Sequence, residues 1–101
     1  SFVQLDKMLP KNDDGIFTPV GKTSSSRPTI KIHNNTTLKL TLKLNNDLYS
    51  FSPQERKTLT LSSGSYTYRA SAPGVLPDYG TENMQSNYEY EWSFYVSTSR
   101  N

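Results

Sequence analysis

The stretch Thr37-Leu38-Lys39-Leu40-Thr41-Leu42-Lys43-Leu44 decides the fold class of this 101-residue chain. Leucine occupies every second position, with threonine and lysine alternating between the leucines. A β-strand sends successive side chains to opposite faces, so this pattern creates one apolar and one polar face. In a helix the same leucines would be spread around the whole axis. The stretch therefore predicts a half-buried antiparallel strand.

The same two-residue alternation continues on both sides of this stretch, from Pro28 to Val96, interrupted by turn clusters such as Ser62-Ser63-Gly64. Six or seven short strands at this spacing are typical of a small antiparallel β-sandwich. We therefore predict an all-β fold, immunoglobulin-like or transthyretin-like, with its longest loop at residues 73–86. The side chains expected to face inward are Ile30, Ile32, Leu38, Leu40, Leu42, Leu44, Leu59, Leu61, Tyr66, Tyr68, Tyr90, Trp92 and Phe94, with Phe51 and Tyr88 as further candidates.

The first 27 residues lack this alternation and contain strong turn formers, among them Pro10. We interpret residues 1–27 as an irregular, flexible N-terminal arm or linker, residues 28–96 as the β-sandwich domain and residues 97–101 as a C-terminal tail. A short helical turn is also compatible with the spacing of Phe2, Leu5, Met8 and Leu9.

The composition argues against several classes of function. Eleven Lys and Arg against nine Asp and Glu give a net charge of +2 without a basic block, so nucleic-acid binding is not expected. The chain has no cysteine and no apolar run long enough for a transmembrane helix, which argues against disulfides, thiolate metal sites and membrane insertion. Residues 1–10 do not resemble a signal peptide. Because the sequence starts at Ser1, we expect it to be a piece of a longer protein.

No catalytic or metal-binding pattern stands out. His33 is the sole histidine, too few for a typical zinc site, and residues 12–15 read as a turn because an EF-hand spacing is missing. Residues 15–23 lack the spacing and the helix start of a phosphate-binding loop. Glu89 and Glu91 share one face of a predicted strand and are the only paired-carboxylate candidate. A solvated face with cross-strand ion pairs explains them without any chemistry, so we expect no enzyme activity and no cofactor.

Aromatic residues make up 12% of the chain and supply the candidate binding residues. Tyr79 lies in the predicted long loop, Tyr95 on the outward face of the last strand, and Tyr49 in opposite parity to Leu48. Val75 and Leu76 either fold over an open end of the sandwich as a plug or form a contact surface. Exposed aromatic side chains stack on sugar rings or anchor protein partners. The candidate binding residues are Tyr49, Val75, Leu76, Tyr79 and Tyr95.

The stretch KTLTLSSGSYTYRASAPG at residues 57–74 resembles a hairpin of bacterial β-sandwich accessory domains, including the carboxypeptidase-regulatory-like, transthyretin-type domains. The chain is also similar to small uncharacterised domains that open with Asn-x-Thr, here Asn34-Asn35-Thr36 or Asn35-Thr36-Thr37, and close on Trp-x-Phe, here Trp92-Ser93-Phe94. The resemblance implies an appended, non-catalytic module of an exported or multidomain bacterial protein. It implies no catalytic residues.

The leading prediction is a non-catalytic interaction or spacer module of a larger protein. Its expected partner is a protein or an adjacent domain of the same polypeptide. The alternative is a ligand-binding module, carbohydrate first, that uses exposed tyrosines, and an enzyme built on Glu89 and Glu91 is a third possibility. We expect an exported location, either periplasmic, cell-surface or secreted.

Overall fold

The leucine-rich stretch forms a central strand in the computed structural model, which describes residues 2–8, 21–22 and 26–99. The regular strand covers Leu40–Leu44; its three leucines are buried, Thr41 is half-buried and Lys43 is exposed. The alternation therefore predicted correctly which face is dry.

Strands account for all of the regular structure in the described residues. In chain order they are β1 (Phe2–Met8), β2 (Gly21–Lys22), β3 (Thr29–Asn34), β4 (Leu40–Leu44), β5 (Asp47–Phe51), β6 (Arg56–Thr60), β7 (Gly64–Ser71), β8 (Asp78–Met84) and β9 (Tyr88–Ser99). No helix in the described part of the chain is long and apolar enough to cross a membrane.

The strands form two sheets in a sandwich-like arrangement, as predicted. The first sheet has five strands in the order β1-β9-β3-β6, with β2 also paired to β9. The second sheet has four strands in the order β5-β4-β7-β8. All pairs are antiparallel except β3 and β9, which run parallel with Ile32 opposite Trp92. Whether the sandwich is immunoglobulin-like or transthyretin-like stays a prediction.

The core lies between the two sheets. Most side chains predicted to face inward are buried there, and Leu59, Tyr66 and Tyr88 are half-buried against them. Leu38 is half-buried and lies before β4. The buried hydrophobic residues are Leu5, Ile30, Ile32, Leu40, Leu42, Leu44, Phe51, Leu61, Tyr68, Ala70, Met84, Tyr90, Trp92 and Phe94.

The N-terminal segment contributes a strand where the sequence allowed a helical turn. Phe2–Met8 is β1, which pairs residue by residue with the end of β9, from Phe2 opposite Ser99 to Met8 opposite Ser93. The start of the predicted C-terminal tail, at residues 97–99, therefore belongs to β9. The remaining parts of the predicted arm, at residues 9–20 and 23–25, lie outside the described residues. The division into an arm, a domain and a tail stays a prediction.

The prediction of a loop over residues 73–86 is wrong in its second half, where Asp78–Met84 forms β8. This strand pairs along β7, from Asp78 opposite Ala70 to Met84 opposite Gly64. Its inward positions carry Asp78, Gly80 and Glu82 before the buried Met84. The apolar alternation that reveals other strands is therefore absent from its sequence.

The Asn34-Asn35-Thr36 turn is a buried hydrogen-bonded structure at the end of β3. The Asn34 Nδ2 donates to the backbone oxygens of Leu38 at 2.8 Å and Ser52 at 3.0 Å. The Thr36 Oγ1 donates to Asn34 Oδ1 at 2.7 Å. These bonds satisfy a polar side chain that is fully buried, so Asn34 has a structural role in this turn.

Candidate functional site

Two of the predicted binding residues, Leu76 and Tyr79, line the same open groove. The groove has a volume of about 460 Å³ and is also lined by Gln4, Asp6 and Asp78 among others. Leu76 is 49% exposed and Tyr79 is 72% exposed. Both aliphatic and aromatic surface are therefore presented beside carboxylate and amide groups.

The groove exists because β1 pairs only briefly with the segment that precedes β8. The Leu5 backbone N–H donates to the Leu76 oxygen at 2.9 Å, and the Leu76 N–H donates to the Val3 oxygen at 3.0 Å. The next residue is Pro77, which has no N–H to continue the pairing. The groove opens where this pairing ends, between the middle of β1 and the start of β8.

Exposed apolar side chains occur on the strands and the segment around this short pairing. We call Val3, Leu76, Tyr79 and Val96 the apolar seam, since they lie on β1, on the segment bridged to it, at the start of β8 and on β9. Val3 is 38% exposed and Val96 is 37% exposed. Leu76 shares the face of Gln4, its bridge partner, whereas Val3 and Val96 lie at positions of the opposite face, that of the buried Leu5.

Val75 and Leu76 were expected to form either a plug or a contact surface, and the structure places one residue in each role. Val75 is half-buried and packs against the core, as a plug would. Leu76 is exposed and lies in the groove, as a contact residue would.

The structure does not bring Tyr49 or Tyr95 to the groove. Tyr49 is half-buried against the core, while its neighbour Leu48 is 69% exposed, so the outward parity expected for Tyr49 is wrong. Two adjacent apolar residues in a five-residue strand leave the parity ambiguous, and the buried Phe51 sets it. Tyr95 is half-buried on β9, opposite Asp6 of β1.

A charged cluster that sequence reasoning missed lies behind the groove, inside the sandwich. The Lys7 Nζ lies 3.5 Å from the centroid of the Tyr68 ring and 4.3 Å from that of Trp92. It is also 3.6 Å from Glu82 Oε1, and both side chains are largely buried. Burial lowers the pKa of Lys7 to about 8, although Glu82 and Asp78 favour its charged form. This lysine of β1 thereby contacts both sheets.

Tyr68 extends the cluster to the start of β8. Its hydroxyl donates to Asp78 Oδ2 at 3.1 Å, and burial, followed by the charge of Asp78, raises the pKa of Tyr68. Burial also raises the pKa of Asp78, which the Tyr68 hydrogen bond and Lys7 partly offset. A Cβ at Gly80 would lie 3.1 Å from the Tyr68 ring, so glycine leaves room for that ring. The cluster joins β1, β7 and β8 by contacts that a structural role explains in full.

One sequence signal for this cluster was present. Val3, Leu5 and Lys7 occupy alternate positions, so a strand would place Lys7 on the same face as the buried Leu5. An inward lysine is recognised only once its aromatic and acidic partners are known.

The outward face of the second sheet carries cations that have no acidic partner within the described part of the chain. Register places Lys43 directly beside Leu48 on β5 and beside Arg69 on β7, and Arg69 beside Tyr79 on β8. All four side chains are exposed. We call Leu48, Lys43, Arg69 and Tyr79 the basic row, since directly paired residues of a sheet share one face.

The outward face of the first sheet carries charges of both signs. Lys31 lies beside Glu91 in the pairing of β3 with β9, and its Nζ is 3.6 Å from Glu89 Oε1. The two glutamates considered as paired carboxylates therefore stand on a solvated face next to a lysine. His33 is half-buried on the same strand, opposite Arg56 of β6.

The described residues contain no group of three or more His, Cys, Asp or Glu side chains placed to hold a metal ion. No family model matches this chain, and no curated protein or solved structure matches it. The resemblance to bacterial accessory domains therefore stays a prediction from residues 57–74 and the two short motifs.

Proposed function

We propose that this domain is a non-catalytic interaction module of a larger protein and that the apolar seam is its protein-contact surface. The supporting observation is the distribution of exposed hydrophobic side chains. Among the described residues five large hydrophobic side chains are exposed, and all except Leu48 belong to the seam. Exposed apolar side chains on neighbouring segments mark interaction surfaces more often than scattered single residues do.

The seam is built on a rigid base, which favours binding. Leu76 is tied to β1 by two backbone hydrogen bonds, and β1 is paired along its whole length with β9. Lys7 holds the other end of β1 between Tyr68 and Trp92. Side chains on such a base lose little conformational freedom on binding, and a preformed surface binds more tightly for that reason.

The partner in this proposal is a protein or an adjacent domain of the same polypeptide, in an exported bacterial protein. The immunoglobulin-like or transthyretin-like type of the sandwich belongs to the same proposal, and its two-layer arrangement is the support for it.

Site-specific photo-crosslinking in the full-length parent protein tests the seam. A photoreactive phenylalanine derivative would replace Leu76 or Tyr79, and Thr58 on the outward face of β6 would serve as the control position. We expect adducts at both seam positions that map to one protein, or to one surface of a neighbouring domain, and none at the control. Equal labelling at all three positions would refute the seam as a specific contact surface.

Carbohydrate binding is a second candidate, favoured by a different observation. Tyr79 is 72% exposed on β8, at the edge of a basic and hydroxyl-bearing sheet face, where its ring is free to stack on a sugar. A glycan array probed with the chain and with Tyr79→Ala tests this candidate, which predicts signals that the variant loses.

A further inference from the structure

We propose that the outward face of the second sheet binds a linear acidic polysaccharide, with its carboxylates held by Lys43 and Arg69 and a sugar ring stacked on Tyr79. This inference rests on the carbohydrate-binding candidate; it shares Tyr79 with the apolar seam and uses none of the other seam residues. It adds the charge class of the ligand and the residues that recognise it.

The basic row crosses all four strands of the second sheet. Neighbouring strands lie about 4.8 Å apart, so the row is roughly 14 Å long. Its two cations stand in the middle, on β4 and β7, and its two apolar side chains stand at the ends, on β5 and β8. An extended chain of sugar residues laid across the strands would contact these side chains in succession.

The two cations face one another without a counter-charge. Lys43 and Arg69 are directly paired across β4 and β7, an arrangement that destabilises a sheet by electrostatic repulsion. Among the described residues, the ion pairs are those of Lys7 with Glu82 and Lys31 with Glu89, so neither cation of the row has an acidic partner. A bound carboxylate between them would relieve this repulsion.

Acidic side chains are absent from the outward positions of these four strands, which are described in full. Asp47, Asp78 and Glu82 all occupy positions of the inward-facing parity. An approaching polyanion therefore meets attraction from Lys43 and Arg69 and no carboxylate at the outward positions of these strands.

The rest of the face is suited to a ligand rich in hydroxyl groups. Its outward positions carry short hydroxyl side chains, and a shallow hollow of about 310 Å³ adjoins it, lined by Lys39, Thr41, Ser71, Ala72 and Pro73. Lys39 thereby supplies a third exposed cation, at this hollow. The outward hydroxyl residues are Thr41, Ser50, Ser65, Thr67, Ser71 and Thr81.

The face fits an acidic polysaccharide better than a single-stranded nucleic acid. Binding of single strands relies on several aromatic rings that stack successive bases within a basic groove. This face offers one exposed ring, that of Tyr79, on an open sheet. The Arg69 guanidinium matches the planar geometry of a carboxylate, which it can bind through two parallel hydrogen bonds.

The test measures binding of the whole chain to polygalacturonate, to a neutral glucan and to a thymidine oligonucleotide at low ionic strength. The double variant Lys43→Gln/Arg69→Gln removes both cations of the row. The matched control Lys31→Gln/Arg56→Gln makes the same change in net charge on the first sheet. We expect the row variant to weaken polygalacturonate binding by about tenfold or more and the control by less than about twofold. Tyr79→Ala should weaken it by about threefold or more.

Three results would overturn the inference. Equal losses in the two double variants would show an effect of net charge alone. Tighter binding of the oligonucleotide than of polygalacturonate would indicate a nucleic-acid surface. Binding of the neutral glucan that depends on Tyr79, without binding of polygalacturonate, would keep the carbohydrate candidate and eliminate the acidic ligand. Thermal unfolding of each variant verifies that it is folded.

Discussion

The outward faces of the two sheets are built from similar strands and differ in what lies beside each lysine. On the first sheet, Lys31 lies next to Glu91 and forms an ion pair with Glu89. On the second sheet, Lys43 lies next to Arg69. The first face therefore pairs its lysine with carboxylates, while the second leaves the charge of its lysine available to a ligand.

This difference shows that the charge of a sheet face depends on strand order as well as on each strand's sequence. β3 and β4 both place lysine and threonine outward and apolar residues inward. The strand beside β3 is β9, which carries glutamates outward, whereas the strand beside β4 is β7, which carries arginine. The function that we propose for the second face follows from that pairing.

The largest expected effect concerns a lysine that belongs to neither outward face. Lys7→Ala should lower the free energy of unfolding by about 2–3 kcal/mol, because it removes packing on Tyr68 and Trp92 and leaves Glu82 without its cation. Lys43→Ala should change it by less than about 0.5 kcal/mol, because that side chain is exposed. Urea denaturation of the two variants measures both values. Equal effects would contradict the structural role of Lys7.

Lys7 should make the stability of the protein depend on pH in the alkaline range. Its pKa is about 8 in the folded protein against 10.5 for the free side chain, so the unfolded chain binds more protons between these values. The free energy of unfolding should therefore rise between about pH 8 and pH 10, by about 1–2 kcal/mol. Above pH 10 it should fall, because burial raises the pKa of Tyr68 and favours its protonated form in the folded state.

Urea denaturation at several pH values measures this rise, with Lys7→Met as the variant that removes the amine. The rise should be absent from Lys7→Met. A rise of the same size in the variant would assign the effect to another group.

Charge reversal of a lysine should change the stability of the protein in opposite directions on the two faces. Lys43→Glu replaces a like-charge pair with an opposite-charge pair beside Arg69, so it should stabilise the protein by about 0.5 kcal/mol. Lys31→Glu breaks the ion pair with Glu89 and adds a third carboxylate, so it should destabilise it by about 0.5–1 kcal/mol. The substitution is the same at two outward strand positions, so intrinsic strand preference largely cancels. Thermal unfolding at low salt compares them, and shifts of the same sign would refute the contrast.

Some of the architecture was predictable from sequence because local alternation and burial agree. The leucines of β4 and the aromatic residues of β9 each define an inward face without reference to any other strand. Long, regular alternation of this kind requires no knowledge of neighbours.

The missed elements depend on distant partners. β8 has carboxylates and a glycine at inward positions, and these are tolerated because Lys7 and Tyr68 meet them there. β1 could not be recognised from its own sequence, because the partners of its inward lysine lie on β7, β8 and β9. The candidate surfaces were predictable in part. Leu76 of the apolar seam and Tyr79, which both surfaces share, were identified from their loop. Lys43 and Arg69 of the basic row become neighbours only through sheet pairing.

Titration of the isotopically labelled chain with a galacturonate oligosaccharide, followed by nuclear magnetic resonance, tests most directly whether the outward face of the second sheet binds the ligand. Binding to the second face should change the chemical shifts of the Lys43, Arg69 and Tyr79 amides and leave those of Lys31 and Glu89 unaffected. Changes centred on Lys31 and Glu89, or no changes on either face, would contradict it.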